Sequence, residues 1–269
     1  MTELTLKGTR GRIVISEWRA GEPRYIALLS HGYGEHVARY DHVARRLLDG
    51  GAVVYGPDHL GHGRSDGERV LVESVDDLVS DLRSVAQQAR AEHPGLPLAI
   101  VGHSMGAIVA TRYAQSHAGE LDALVLSGAV IGGNPGFEAL LAMDPIPEIP
   151  IDPETLSRDP QVGEAYAADP LVWHGAFKRR TLEAMFEAID AIAAGPALGS
   201  LPTLWVHGEE DALAPLELTR EAVARIRGAR LEERIYEGAR HEVFNEINSD
   251  EVLDDVASFL ERTLTPARV

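Results

Sequence analysis

Cysteine is absent from the 269 residues. That excludes a disulfide framework and any thiolate chemistry, and it fits a reducing compartment. Long apolar runs are missing too: none approaches the ~18 residues needed to span a bilayer. Residues 1–15 hold no apolar stretch of the secretory-signal kind, so a cytoplasmic location is expected. Basic charge is scarce, with 25 Lys and Arg against 42 Asp and Glu, a net charge of −17. Such a chain repels phosphates, which argues against nucleic acid as a partner and against electrostatic docking on anionic lipid. An uncharged small substrate is the easier fit. No internal repeat and no low-complexity linker divides the sequence. What remains is a chain with 45% hydrophobic residues, long enough for one large domain with a sizeable core.

Apolar runs and turn signals alternate along it. Residues 4–18 predict an antiparallel hairpin at a sheet edge. Residues 24–30 predict a buried strand, followed by a loop, His31-Gly32-Tyr33-Gly34-Glu35-His36. A helix follows with Tyr40, Val43, Ala44, Leu47 and Leu48 on one face, ending at Gly50-Gly51. After a strand over 52–55 comes a Gly-rich loop, residues 61–67. Ser74 is a good N-cap, with Asp76 and Asp77 in the first turn suiting the helix dipole, and that helix runs to about Glu92. Strands over 98–101 and 122–127 flank another helix. This order means a mostly parallel central sheet with helices on both faces.

The rhythm breaks over 131–197, where seven prolines cluster between Pro135 and Pro170. Helical pieces are predicted at 163–168 and 179–194. The segment reads as an inserted, mainly helical cap between core parts 1–130 and 198–269. Its apolar residues, among them Phe137, Ile151, Phe177 and Met185, pack the cap or line a lipid pocket. They also allow transient contact with a membrane or micelle. The alternation then resumes with strands over 202–207 and 231–236 and a closing helix over 250–264.

The chemistry centres on Gly102-His103-Ser104-Met105-Gly106. A buried strand leads in and a helix leads out. This G-x-S-x-G pattern at a strand-to-helix turn is the nucleophile elbow of the α/β-hydrolase fold. A serine hydroxyl needs a base, and the base needs an acid to orient it, in the chain order Ser, Asp/Glu, His. Four histidines follow Ser104. His117 lies too far along the elbow helix, His174 is in the insertion, and His207 precedes the acid candidates. His241 follows the last strand in a loop that can swing it over the sheet, and is the expected base. Glu209, Glu210 and Asp211 follow a strand. The spacing favours Asp211 as the acid and leaves the two glutamates as solvated loop charges. Two backbone N–H groups must stabilise the oxyanion, and placement selects Tyr33 and Met105. His103 is expected to be structural.

These stretches resemble the monoacylglycerol lipases and related lysophospholipase-like hydrolases. The resemblance is carried by His31-Gly32-Tyr33-Gly34-Glu35-His36, by Asp58-His59-Leu60-Gly61-His62-Gly63-Arg64-Ser65 and by the Ser104 pentapeptide. Leu156-Ser157-Arg158-Asp159-Pro160, Asp169-Pro170-Leu171, Tyr236-Glu237-Gly238 and His241-Glu242 add to it. It implies hydrolysis of a monoacylglycerol to glycerol and fatty acid with no cofactor and no metal. The same catalytic and oxyanion residues are implied, and Glu35 and Arg39 are placed near the glycerol end. The alternative for that pair is a structural ion pair. Residues 133–153 read as a shorter and more proline-rich early cap than that of longer-capped relatives, where an extra apolar helix precedes this point, which leaves chain-length preference and interfacial behaviour open.

Other patterns are set aside. His59 and His62 lie in a loop without further ligands for a metal. His241-Glu242 begins an H-E-x-x-H pattern that Asn245 breaks, and residues 61–67 lack the G-K-[ST] of a phosphate loop. Rival functions are a broader carboxylesterase or lysophospholipase, which fold alone does not separate, and a non-catalytic ligand-binding protein of the same fold.

Overall fold

The structure is a computed structural model that describes residues 1–264. Eight strands form one sheet: β1 (Thr2–Lys7), β2 (Arg12–Trp18), β3 (Tyr25–Ser30), β4 (Ala52–Pro57), β5 (Leu98–His103), β6 (Ala123–Ser127), β7 (Thr203–Gly208) and β8 (Leu231–Tyr236). Their spatial order is β1-β2-β4-β3-β5-β6-β7-β8. The hairpin β1–β2 pairs antiparallel to its neighbours, and β4, β3, β5, β6, β7 and β8 run parallel.

Eight α-helices among the described residues accompany the strands: α1 (Asp41–Asp49), α2 (Val75–Glu92), α3 (Met105–Ser116), α4 (Pro135–Leu141), α5 (Pro160–Ala168), α6 (Arg179–Ala194), α7 (Leu216–Ile226) and α8 (Ser249–Leu264). Period-two alternation along the strands feeds two cores. In β3, Ile26 and Leu28 join a core with α2, α3 and α6, while Tyr25, Ala27 and Leu29 join one with α1 and α8. The edge strands β1 and β8 are partly exposed and carry charge, which discourages pairing with other chains.

The predicted alternation matches closely. Ser74 accepts a hydrogen bond from Asp76 N–H as the N-cap of α2, worth about 1 kcal/mol. One helix was not predicted. Asn134 caps α4 by accepting from Gly136 N–H, with Pro135 in its first turn. The proline density of residues 131–160 masks this seven-residue helix, although Asn-Pro is itself a start signal. Helix α5 also begins earlier than predicted, at Pro160, because Asp159 caps it. Helices α4, α5 and α6 all lie between β6 and β7. Among the described residues no helix is long and apolar enough to cross a membrane.

The loop after β4 acts as a staple. Asp58 accepts from Val37 N–H at 2.9 Å and from Arg64 N–H at 2.8 Å, and Ser65 Oγ bridges Asp58 O and Val14 N–H. A Cβ at Gly63 would lie 2.1 Å from the Asp58 carboxylate. Much of the motif from Asp58 to Ser65 is therefore architecture that holds the neighbouring 31–37 loop.

Helix α3 meets the end of β3 without any side chain between them. A Cβ at Gly106 would lie 1.9 Å from Ser30 O and 2.6 Å from His31 O, and one at Gly102 would lie 2.4 Å from Gly106 O. Backbone cannot yield as a flexible side chain can. Gly106→Ala is expected to cost about 3 kcal/mol, a fall of roughly 6–12 °C in Tm for a chain of this size. Thermal denaturation checks it, and an unchanged Tm would refute the contact.

Candidate active site

Ser104 stands between β5 and α3 at φ 54°, ψ −119°. Only one other residue with a side chain, Val70, has positive φ among the described residues. Such backbone is unfavourable for a residue with a Cβ and is over-determined by its surroundings. Here Ser104 N–H bonds Ser127 O at 3.0 Å and the two flanking glycines admit the close approach of α3. The Ser104 hydroxyl makes no cap bond to the helix it precedes.

Asp211 follows β7. Its Oδ1 accepts from Leu213 N–H at 2.9 Å and Ala214 N–H at 2.8 Å. Its Oδ2 meets His241 Nδ1 at 2.8 Å. His241 lies in the turn after β8, and both residues are buried. The two loops run side by side: Glu210 N–H bonds Ala239 O at 2.9 Å, and a Cβ at Gly208 would strike Arg240 O and Ala239 O. Glu209 and Glu210 are exposed. Burial works to push the His241 imidazole down, but the charge and hydrogen bond of Asp211, with Glu242 and Glu35, outweigh it and hold it above the ordinary 6.5. Burial likewise works to raise Asp211, and the His241 partner outweighs it and holds that carboxyl below its ordinary range. A buried, oriented imidazole with a ready charge partner can accept and return a proton.

Ser104 and His241 line one cavity. Its roof comes from the segment between β6 and β7: Phe137, Ile151, Leu156, Phe177 and Met185 all line it. Met143 and Ile149 of the same segment face solvent instead. Gly32 and Tyr33 line the cavity from the β3 side. His31 Nε2 accepts from His59 N–H at 2.9 Å, so its proton is on Nδ1, which donates to Gly32 O at 2.8 Å. Gly32 N–H donates to Glu35 at 2.6 Å. Two successive peptide groups are thereby pinned.

A family model for Hydrolase_4, described as serine aminopeptidase, S33, matches residues 21–248. The chain is 38% identical over 270 aligned positions to a monoacylglycerol lipase of Mycolicibacterium smegmatis, covering 96% of each chain. It belongs to the monoacylglycerol lipase family of α/β-hydrolases. It is also 30% identical over 241 positions to the Homo sapiens monoglyceride lipase, covering 86% of this chain and 80% of that one. The crystal structure of Paleococcus ferrophilus monoacylglycerol lipase superimposes with a TM-score of 0.80 at 24% identity, over 93% of this chain and 99% of that one. At that identity the likeness speaks for the fold.

Within this family member, Glu35 and Arg39 form an ion pair at 2.6 Å. The pair is part of something larger. Arg39 also forks onto both oxygens of Glu242 at 2.8 Å, and Glu35 takes a further bond from Tyr40 OH at 2.6 Å. Burial works against the Arg39 charge, but Glu242 and Glu35 outweigh it and hold it well above its ordinary value. Arg39 lies 5.0 Å from the Tyr166 ring centre. The Tyr166 hydroxyl is buried without a hydrogen-bond partner among the described residues. Glu35, Arg39, Glu242 and Tyr166 all line the cavity and form its polar side.

Sequence reasoning missed three neighbours. His207 was set aside for preceding the acid, yet its Nε2 lies 3.5 Å from Asp211 Oδ2. Trp205 Nε1–H donates to His207 Nδ1 and Ala214 O accepts at 2.7 Å from Nε2, so the ring is neutral with its proton on Nε2. Glu242 counts in the sequence as part of the resemblance and of a broken zinc pattern, with no role of its own, and Tyr166 is not singled out. The residue types of Glu242 and Tyr166 were visible, but their partners lie 203 and 127 positions away at Arg39. His103 is buried, bonds Ser127 Oγ at 3.2 Å and packs its ring 4.8 Å from that of His241. Burial first, then the neighbouring His241, pushes it to about 3.

The His59 ring packs against His31 and bonds Ser30 Oγ at 2.9 Å. Among the described residues, Glu17, Glu92 and His93 bring three possible metal-ligand atoms within 4.8 Å of one another. Arg19 already bonds His93 at 2.8 Å and Tyr55 bonds Glu92 at 2.8 Å. The arginine charge occupies the place a cation would need.

Proposed function

We propose that this chain is a serine hydrolase that cleaves the ester of monoacylglycerols to glycerol and free fatty acid through an acyl-serine intermediate. The observation that carries the reading is the buried Asp211–His241 pair opening onto the same cavity as the positive-φ Ser104. The relatives named above carry the substrate in their names.

In this reading Ser104 Oγ attacks the ester carbonyl while His241 Nε2 takes its proton. Asp211 holds the proton on Nδ1 and stabilises the imidazolium. The oxyanion is met by the backbone N–H groups of Tyr33 and Met105. Because a peptide is trans, fixing the Gly32 carbonyl on His31 turns Tyr33 N–H the opposite way. Met105 opens α3, whose positive end adds to the same field. His241 returns its proton to the leaving glycerol oxygen, then activates a water that releases the fatty acid. The scheme needs no cofactor. Residues 131–197 serve as the cap, and their apolar residues take the acyl chain.

Glu35 and Arg39 belong to the polar side that receives the glycerol hydroxyls. Two carboxylates there face one arginine, an excess of negative charge. That favours an uncharged glycerol over a phosphate-bearing head, since like charges in a buried site cost several kcal/mol. A comparison of mono-, di- and triacylglycerol with lysophosphatidylcholine tests this. Monoacylglycerol is expected to lead lysophosphatidylcholine in kcat/KM by roughly a hundredfold. A faster lysophospholipid would overturn the substrate assignment and leave the chemistry intact.

A further inference from the structure

Four hydrogen-bond donors converge on Glu246, a carboxylate whose side chain has no exposed surface. Its Oε1 accepts from Arg240 N–H at 2.8 Å and Arg158 N–H at 3.2 Å. Its Oε2 accepts from Arg158 Nε–H at 2.9 Å and Ile247 N–H at 3.1 Å. Arg240 immediately precedes His241, and Arg158 lies just before α5, in the segment inserted between β6 and β7. The link is not isolated. Glu242 N–H bonds Leu156 O at 2.7 Å and His241 N–H bonds Thr155 O at 3.4 Å. Ser157 Oγ–H bonds Asn245 O at 2.9 Å, and Arg240 Nη1 returns to Ser157 O at 3.0 Å. Arg158 Nη2 reaches Asn248 Oδ1 at 3.1 Å.

The turn that carries His241 is thus bonded residue by residue to positions 155–158. Asp211 orients the imidazole ring, but the backbone beneath the ring is fastened from the other side. A carboxylate is costly to bury unless its oxygens are fully bonded, and Glu246 meets that condition by joining these two segments. The Ser157-Arg158-Asp159 stretch, which the proposed chemistry does not use, finds its purpose there.

We propose that Glu246 is a positioning residue for His241, fastening the peptide before the imidazole to the Thr155–Arg158 stretch of the inserted segment. The base keeps its place over Ser104 while that stretch is docked, so any opening of the cap hinges beyond it. This rests on His241 being the general base.

The test is Glu246→Gln, near-isosteric and lacking one acceptor, with Arg158 left to water at its partly exposed end. On a short soluble ester, kcat is expected to fall about tenfold with KM held within about twofold, because a misplaced base costs rate and not ground-state binding. On a His241→Ala background the same change should remove nothing further from the residual rate. Unchanged kcat, a loss carried by KM, or an equal tenfold loss without the imidazole would each overturn the proposal. If Glu246→Gln does not fold, Glu246→Asp is read in its place. It keeps the charge, shortens the reach by one methylene, and should show the same loss in kcat alone. His241→Ala retaining the parent rate would instead sink the base assignment itself, which keeps the two failures apart.

Discussion

Ser104→Ala is expected to lower ester hydrolysis by about five to six orders of magnitude. The substitution removes the oxygen proposed to attack and little else. The hydroxyl makes no capping bond to α3, so the helix does not depend on it. The strained backbone of φ 54°, ψ −119° is as unfavourable for alanine as for serine, and Tm should stay close to that of the parent. Ser104→Gly is the informative control. It should be equally inactive yet melt higher, because glycine relieves about 1 kcal/mol or more of backbone strain. What survives in either variant is the small rate that binding and the oxyanion donors supply. A fluorophosphonate should add one label to the parent, at Ser104, and none to the variants. Labelling at another residue, or substantial turnover by Ser104→Ala, would sink the acyl-serine mechanism.

Asp211→Asn should lower kcat by about four orders of magnitude, for a reason visible in its hydrogen bonds. Oδ1 already accepts two backbone N–H groups, from Leu213 and Ala214. An amide carbonyl fits that place, which turns the new NH2 toward His241 Nδ1 and toward the His207 ring. His241 must then accept at Nδ1 and carry its proton on Nε2, where it cannot take one from Ser104. The pH profile separates this from a general loss of folding. In the parent, His241 is held above 6.5, so the working neutral base is lost as pH falls through that raised value. Without the carboxylate, burial dominates and lowers the imidazole pKa. The acid limb of kcat/KM should therefore move to lower pH while the plateau drops. An acid limb that stays in place would mean that Asp211 is not what sets the base.

The two variants probe different kinds of sequence information. Ser104 was legible because its steric setting is local: strand, glycine, serine, glycine and helix lie within one short window. Asp211 and His241 were legible from the order of loops in a parallel sheet, since loops at the carboxyl ends of neighbouring strands converge. The structure brings these loops together at β5, β7 and β8. The polar cluster was half legible. Arg39 and Glu35 are four positions apart just ahead of α1, close enough along the chain for their charges to pair. Glu242, which takes two of the Arg39 hydrogen bonds, comes from the far end of the chain. Helix α4 was hidden by prolines whose role at a helix start differs from their role inside one.

The sequence by itself therefore determined the sheet, its parallel sense, the elbow at Ser104 and the loops that bear Asp211 and His241. These follow from periodicity, steric demands and chain order, which neighbouring residues encode. Only the tertiary structure decided that His207 backs Asp211, that Arg39 is shared by Glu35 and Glu242, and that Glu246 ties the His241 turn to Arg158. A buried charge needs a partner, but its residue type does not say which one. The partner is chosen by which loops the folded sheet and the inserted segment bring within hydrogen-bonding distance.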